Sequence, residues 1–462
     1  MKMKLNILTL ALALALLAPA VCGLEAGGQE AYSLKQCLEY ALAHNNALAK
    51  DRLELAIAAQ SKREVVGALL PQVSASSGWT RNLQKATIAM PNFINAMLPE
   101  RQRDPDAPKY MTVTMGMDYT ANWGAGLNQQ LVNFALFNAV SIAKVAGEMA
   151  ELGVEMTESD VIAQTATLYY GAQALSYAVG QFDESVALLD RTLRILEADR
   201  ESGLMRQVDV DRVSVSKSNL EAQRGAMERT LELQKNLLKL QMGFPMSDSI
   251  RIPAIDPDRM EKQLYSADIP VFDVTCMLPY KILKTKQMML ERQYRSTVYE
   301  ALPVVTFGAN YSMNYMGDHF SGETFHHFPV SMLTLNLRMP LFTGLSRTAK
   351  IKKARIELQQ SEADERMLTQ SLAMGEDNAR RQLEQQLRSI ASQKRNKALA
   401  EEVYRVTESN FKEGISSLSD LLNASSSLVQ ARMNYVNALG ESMKAYIDLK
   451  KAVGTIQDLK QQ

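Results

Sequence analysis

Four histidines and three cysteines are the whole stock of strong metal ligands in this 462-residue chain, and they are scattered. His44 falls in a helical pattern. His319, His326 and His327 fall in one polar loop, where the adjacent pair offers imidazoles to a metal ion but reads better as exposed loop polarity. Hydrolytic chemistry needs a nucleophile, a base and an orienting group within hydrogen-bond reach. No G-x-S-x-G or H-E-x-x-H pattern provides them. The expectation is therefore no enzyme, no cofactor and no metal. Two carboxylates have the more telling spacing. "SGLMRQVDV" (202–210) and "EGISSLSDL" (413–421) each set an aspartate six residues after a glycine, Gly203 to Asp209 and Gly414 to Asp420. Glycine tolerates the positive φ of a tight break. A carboxylate just beyond it either complements the dipole of the next helix or, repeated around an axis in several chains, forms a charged ring.

The elements that would hold these aspartates are long helices. Residues 137–202 and 346–412 run into the two glycines, and helix resumes beyond them to about 242 and 453. These stretches are dense in Ala, Leu, Glu, Gln, Lys and Arg, the strong helix formers. Some 65 residues at ~1.5 Å each make ~100 Å, and such a helix needs a neighbour to cover its apolar stripe. Charge excludes little: 51 basic residues balance 51 acidic ones, so no net field argues for nucleic acid.

The N-terminus reads as a secretory signal peptide over 1–23, with Lys2 and Lys4 before the apolar run "LNILTLALALALLAPAV". Cys22 admits an acylated lipoprotein, which Val21 and Pro19 fit poorly. Secretion permits a disulfide, but Cys37 and Cys276 are expected as reduced, half-buried thiols. No later segment is apolar for the ~18 residues that a membrane-spanning helix needs.

A different period appears between the helices. "VTMGMDYTANWGAGLN" (113–128) alternates without a break, Val113, Met115, Met117, Tyr119, Ala121, Trp123, Ala125 and Leu127 facing one way. "VVTFGANYSMNY" (304–315) and "MLTLNLRMPL" (332–341) alternate likewise, and "QVSASSGW" (72–79) does so more weakly. They pair as two hairpins, 72–132 across a long polar loop (83–111) and 304–341 across a loop at 317–328. An apolar face about ten residues tall matches a tilted strand crossing a bilayer. In lipid a sheet must close on itself, and single-chain barrels begin at about eight strands. This chain offers four, so its barrel would be shared, with two chains making about eight strands or three about twelve. Gly, Ser, Thr and Asn would face a watery lumen.

The chain states this plan twice. "ALLPQV" (68–73) and "EALPVV" (300–305) lead into the hairpins, and each hairpin precedes a long helix, a glycine break and a second helix. The first repeat is placed at 24–243 and the second at 271–462. The Pro- and Asp-rich connector 244–270 is expected to carry little regular structure. A bare coiled-coil scaffold would not need the strands.

The duplicated plan, Leu70-Pro71 and Leu302-Pro303, "PLFTG" (340–344) and the paired glycine-to-aspartate turns resemble the TolC family of outer-membrane channels. The resemblance covers about 31–454. It implies an α+β membrane protein of a Gram-negative cell: a homotrimer with a twelve-stranded barrel in outer-membrane lipid, continued by a long periplasmic α-helical barrel. It implies the channel of a tripartite efflux pump or, alternatively, of type I protein secretion, rather than a barrel enzyme. The partners implied are a periplasmic adaptor and an inner-membrane transporter of RND, ABC or MFS type. Adaptor hairpins would dock at Ser202-Gly203-Leu204 and Glu413-Gly414-Ile415. Asp420 matches the family's acidic ring, and Asp209 matches a partner in the constraining network. Asn423 stands where relatives carry a second acidic ring, and Ser416 where they carry a gate-locking arginine.

Overall fold

The computed structural model describes residues 31–266, 269–319 and 326–461. The signal segment and Cys22 lie outside them. Helix α1 (Leu34–His44) starts at a reciprocal cap in which Ser33 and Gln36 satisfy each other's backbone amides. Asn45 then turns the chain into α2 (Asn46–Gly67), accepting from the amides of Ala47 and Leu48. Strand β1 (Gln72–Arg81) follows, then an excursion holding β2 (Ala86–Pro91), a short α3 (Phe93–Met97) and β3 (Tyr110–Met115). The chain returns along β4 (Tyr119–Val132) into α4 (Phe134–Glu201) and α5 (Gln207–Met242). Beyond the connector helix α6 (Pro257–Tyr265), the second repeat is α7 (Leu278–Tyr299), β5 (Val304–Gly317), β6 (His326–Arg338), α8 (Ser346–Lys412) and α9 (Leu418–Ala452).

The helical plan matches the sequence pattern closely; the strands and connector depart from it. The run 113–128 is two strands in two sheets. Gly116 takes φ 100°, which cannot continue a strand, and Asn82 bonds the carbonyls of Met117 and Asp118 at the break. The "polar loop" 83–111 contributes a strand pair of its own, β2 with β3. β6 begins at His326 instead of beyond 328, so His326 and His327 are strand residues. Adjacent strand residues point to opposite faces, so the pair cannot grip one metal ion. The connector contains a helix because Asp256 caps it and Pro257 occupies its first turn. Cys37 is buried and Cys276 exposed, both free, where two half-buried thiols were expected.

Four strands form one antiparallel sheet in the order β1-β4-β5-β6, which leaves β1 and β6 as open edges. The register keeps two faces apart. Val73, Trp79, Trp123, Leu127, Phe307, Tyr311, Leu333 and Leu335 share one face; Ser74, Asn122, Gly124, Asn310, Asn336 and Thr334 share the other. The upper part of β6 departs from this, with Phe328, Val330 and Met332 on the polar side.

Below the sheet, α5 abuts the α1–α2 corner and α9 abuts the start of α7. The Asn45 amide donates to the Gln241 carbonyl at 2.6 Å. A Cβ on Gly243 would lie 2.3 Å from the His44 carbonyl oxygen, so this junction requires glycine. At the second junction Gly454 sits against Met277, again with positive φ. Each repeat thus sets a stacked pair of shorter helices beside one long helix. The main core lies at these junctions, where α1, α6 and the final turn Ile456–Gln461 pack on α4 and α9.

Candidate functional site: the helix breaks and the two-faced sheet

Both long helices end in the same way. Gly203 has φ 74° and Gly414 φ 75°. The Leu204 amide reaches back to the Asp199 carbonyl and the Ile415 amide to the Asn410 carbonyl, each at 2.8 Å. This is the left-handed glycine stop that satisfies the last carbonyls of a helix. It leaves Leu204 79% and Ile415 72% exposed at the extreme end of the molecule. Behind them Leu418 packs with Leu196, Val210 and Val213, so the two breaks share one apolar cluster.

The two aspartates lie in equivalent first turns and have different surroundings. Asp209 is buried; Arg206 Nε donates to it at 2.9 Å, and Arg212 stands 3.9 Å away. Asp420 is exposed and caps its own helix. Its Oδ2 accepts from the Ser417 hydroxyl at 2.6 Å and from the Ser417 amide at 3.1 Å. Those two bonds, the hydroxyl's first, hold its carboxyl below the ordinary range, so it carries its charge at neutral pH. Asn423 is exposed one turn further along, and Ser416 is half-buried beside the break.

Sequence reasoning missed a buried cation above the breaks. Arg432 is 9% exposed and reaches Glu184 at 3.2 Å, the Ser185 hydroxyl at 3.3 Å and Glu401 at 3.7 Å, tying α9 to α4 and α8. The available signal was its isolation, since it is the one charged residue between Asp420 and Glu441. Also missed was Lys85, which joins Asp118 at 3.3 Å and Asp318 at 2.7 Å and fastens the excursion to the top of β5.

A sheet with one apolar face, joined to ~100 Å helices that end in tight breaks, is a shape shared with known proteins. A sequence profile described as outer membrane efflux protein matches residues 286–455. Over that stretch, a little over a third of its length, the chain resembles the outer membrane efflux protein family. Outer membrane protein TolC of Vibrio cholerae serotype O1 is 24% identical over 161 residues, covering 34% of this chain and 36% of that one. The sequence match thus spans about a third of that relative's length. Structural likeness extends much further. The outer membrane protein VceC of Vibrio cholerae superposes with a TM-score of 0.68 at 16% identity, covering 91% of this chain and 96% of VceC. The Campylobacter jejuni outer membrane channel CmeC superposes with a TM-score of 0.71 at 14% identity, covering 93% and 90%. This chain therefore has the fold of those outer-membrane channels, a helical part with a sheet at one end. No helix among the described residues is long and apolar enough to cross a membrane.

Proposed function

We propose that three copies of this chain close into an outer-membrane export conduit. The observation that carries the reading is the four-stranded sheet, apolar on one face and open at both edges. In lipid each unpaired edge group costs several kcal/mol. Joining β6 of one copy to β1 of the next removes both edges at once. Three copies make about twelve strands around a watery lumen, with the Trp123, Phe307 and Leu335 face in outer-membrane lipid. The helices extend the passage through the periplasm to the breaks at Gly203 and Gly414.

At that end Asp420 would meet its own copies around the axis, while Asp209, held by Arg206, belongs to the network that keeps the closed arrangement. Leu204 and Ile415 present apolar side chains to a periplasmic adaptor, which would open the end by binding the parted helices more tightly than the closed ones. An inner-membrane transporter would deliver the cargo. Efflux is favoured by the family; the transporter that co-purifies distinguishes it from type I protein secretion.

Light scattering on the detergent-extracted protein, corrected for bound detergent, should give three chains per particle. Planar bilayers containing it should show discrete conductance steps. A monodisperse monomer that keeps its β-signal refutes the shared barrel.

A further inference from the structure

Helix α9 leaves one narrow face uncovered, and over most of its height that face carries no charge. Asn423, Ser427, Gln430, Asn434 and Asn437 are exposed at alternating spacings of four and three residues. Residues at that spacing stay on one side of a helix that packs in a coil. The Gln430 amide donates to the Asn434 amide oxygen at 2.9 Å, so neighbouring rungs are already linked. Asp420 continues the stripe below and Glu441 above, and between them the stripe has no charge. Arg432 is turned away from it, toward Glu184 and Glu401. Over the same height the open faces of the other helices are charged, with Asp183 and Arg194 on α4, Glu221 and Arg229 on α5, and Glu402 and Arg405 on α8.

The direction of the stripe follows from what covers the rest of α9. Helices α4 and α8 flank it, and α6 lies across it, with the Tyr435 hydroxyl donating to Glu261 at 2.8 Å. The short elements α1, α6 and the final turn form a belt on the helices. A belt cannot sit inside a through-passage, so the side bearing α6 is the outside. At about 100° per residue, Asn434 and Asn437 are both turned away from Tyr435.

We infer that this amide stripe lines the passage and makes the stretch above the helix breaks a neutral, hydrogen-bonding surface, with charge selection confined to Asp420. The inference rests on the conduit reading and adds what the wall presents to cargo. Amides donate and accept hydrogen bonds and hold no fixed charge. Neutral and zwitterionic amphiphiles then pass this stretch as readily as ions, keeping their hydration through exchange with the amides.

The test is cysteine modification of the assembled protein in planar bilayers. The background is Cys276→Ala, because Cys276 is exposed. Cys37 stays, since burial pushes its thiol up to about 12 and keeps it unreactive. Gln430→Cys and Asn434→Cys are treated with an anionic and a cationic methanethiosulfonate. Lys262→Cys, exposed on α6, serves as the outer control. The anionic reagent should raise the cation-to-anion permeability ratio about twofold or more at 430 and 434, the cationic reagent should lower it, and neither should act at 262. Modification at 430 and 434 without any electrical effect overturns the inference, because the stripe then faces outward. Failure to react in the assembled particle also overturns it, because a neighbouring copy then covers the stripe. In both cases wild-type conductance persists and the conduit reading survives; a wild type with no conductance defeats that reading instead. Asn434→Asp, nearly isosteric, gives a second measurement free of reagent access. Unchanged selectivity in that variant also overturns the proposal.

Discussion

The two repeats build the same elements to nearly the same length and bury them differently. Helices α4 and α8 run 68 and 67 residues, and α5 and α9 run 36 and 35. Yet α9 is buried along most of its length, with Leu421, Leu439, Met443 and Ile447 sealed, whereas α5 leaves Val215, Leu233 and Leu240 open. The cause is position. α9 lies between α8 and α4 of its own chain, and α5 packs chiefly on α4, leaving one flank open. Duplication set the pattern of turns and helices, and neighbours decided which residues became core. The carboxylates teach the same lesson. Asp209 and Asp420 occupy equivalent positions, but one is enclosed with arginines and the other faces water.

The strongest way to break this comparison lies in the sheet, where the first repeat supplies both tryptophans of the apolar face and the second supplies more of its other large side chains. If three copies share a membrane barrel, Phe307→Lys or Leu335→Lys should cost about 2–4 kcal/mol at mid-membrane depth and block trimer assembly. Asn310→Lys and Asn336→Lys, on the opposite face, should assemble. Trimer yield after detergent extraction is the readout, and equal damage from both pairs removes the assignment of faces.

Core truncations come next. Leu421→Ala or Leu439→Ala in α9 should destabilise the protein by about 2–5 kcal/mol. Leu233→Ala in α5 should change it by about 0.5 kcal/mol or less if that flank is solvent in the assembled protein. Denaturant midpoints in detergent measure both. A large effect at Leu233 would sharpen the comparison, because it places the α5 flank in a contact between copies.

The aspartates separate by charge. Asp420→Ala loses a helix cap, about 1 kcal/mol, whereas Asp420→Asn keeps an acceptor for Ser417 and loses only the charge. If Asp420 rings the passage, both variants should lose block by a trivalent cation applied from the periplasmic side. Block that survives in Asp420→Asn would mean the carboxylate serves only its own helix. Asp209→Asn, buried beside Arg206, should leave block unchanged.

The smallest effect is electrostatic and lies in the second repeat alone. Glu365 on α8 bonds Lys284 at 2.7 Å and Gln287 and Tyr280 at 3.0 Å, all on α7. Lys284 first, then Gln287, lowers its carboxyl to about 2. A carboxyl lowered in the folded state stabilises the fold above its unfolded value near ~4.3, and that contribution is lost as pH falls toward the folded value. Glu365→Gln should therefore melt below wild type at pH 7, by up to roughly 1 kcal/mol. The two curves should converge near pH 2; a constant gap at all pH values would show that packing, not charge, holds this joint.

Local rules determined much of this protein by themselves. The 3.6-residue period and the two glycines placed the long helices to within three residues, because helix formers and left-handed stops act over a single turn. Period-two alternation found β5, β1 and most of β4, but it could not see the break at Gly116, since glycine satisfies either face of a strand and the stop depends on Asn82 and Asp318 arriving from distant segments. Nor could it see that His326 and His327 extend β6, a pairing that only Tyr315 and Met316 across the ladder decide. The aspartates could be named from spacing, but their characters could not. Arg206 folding back over Asp209, Ser417 closing on Asp420, and the enclosure of α9 that leaves one amide face open are all consequences of which helix lies beside which. That is a matter of packing, and it is settled only in the tertiary structure.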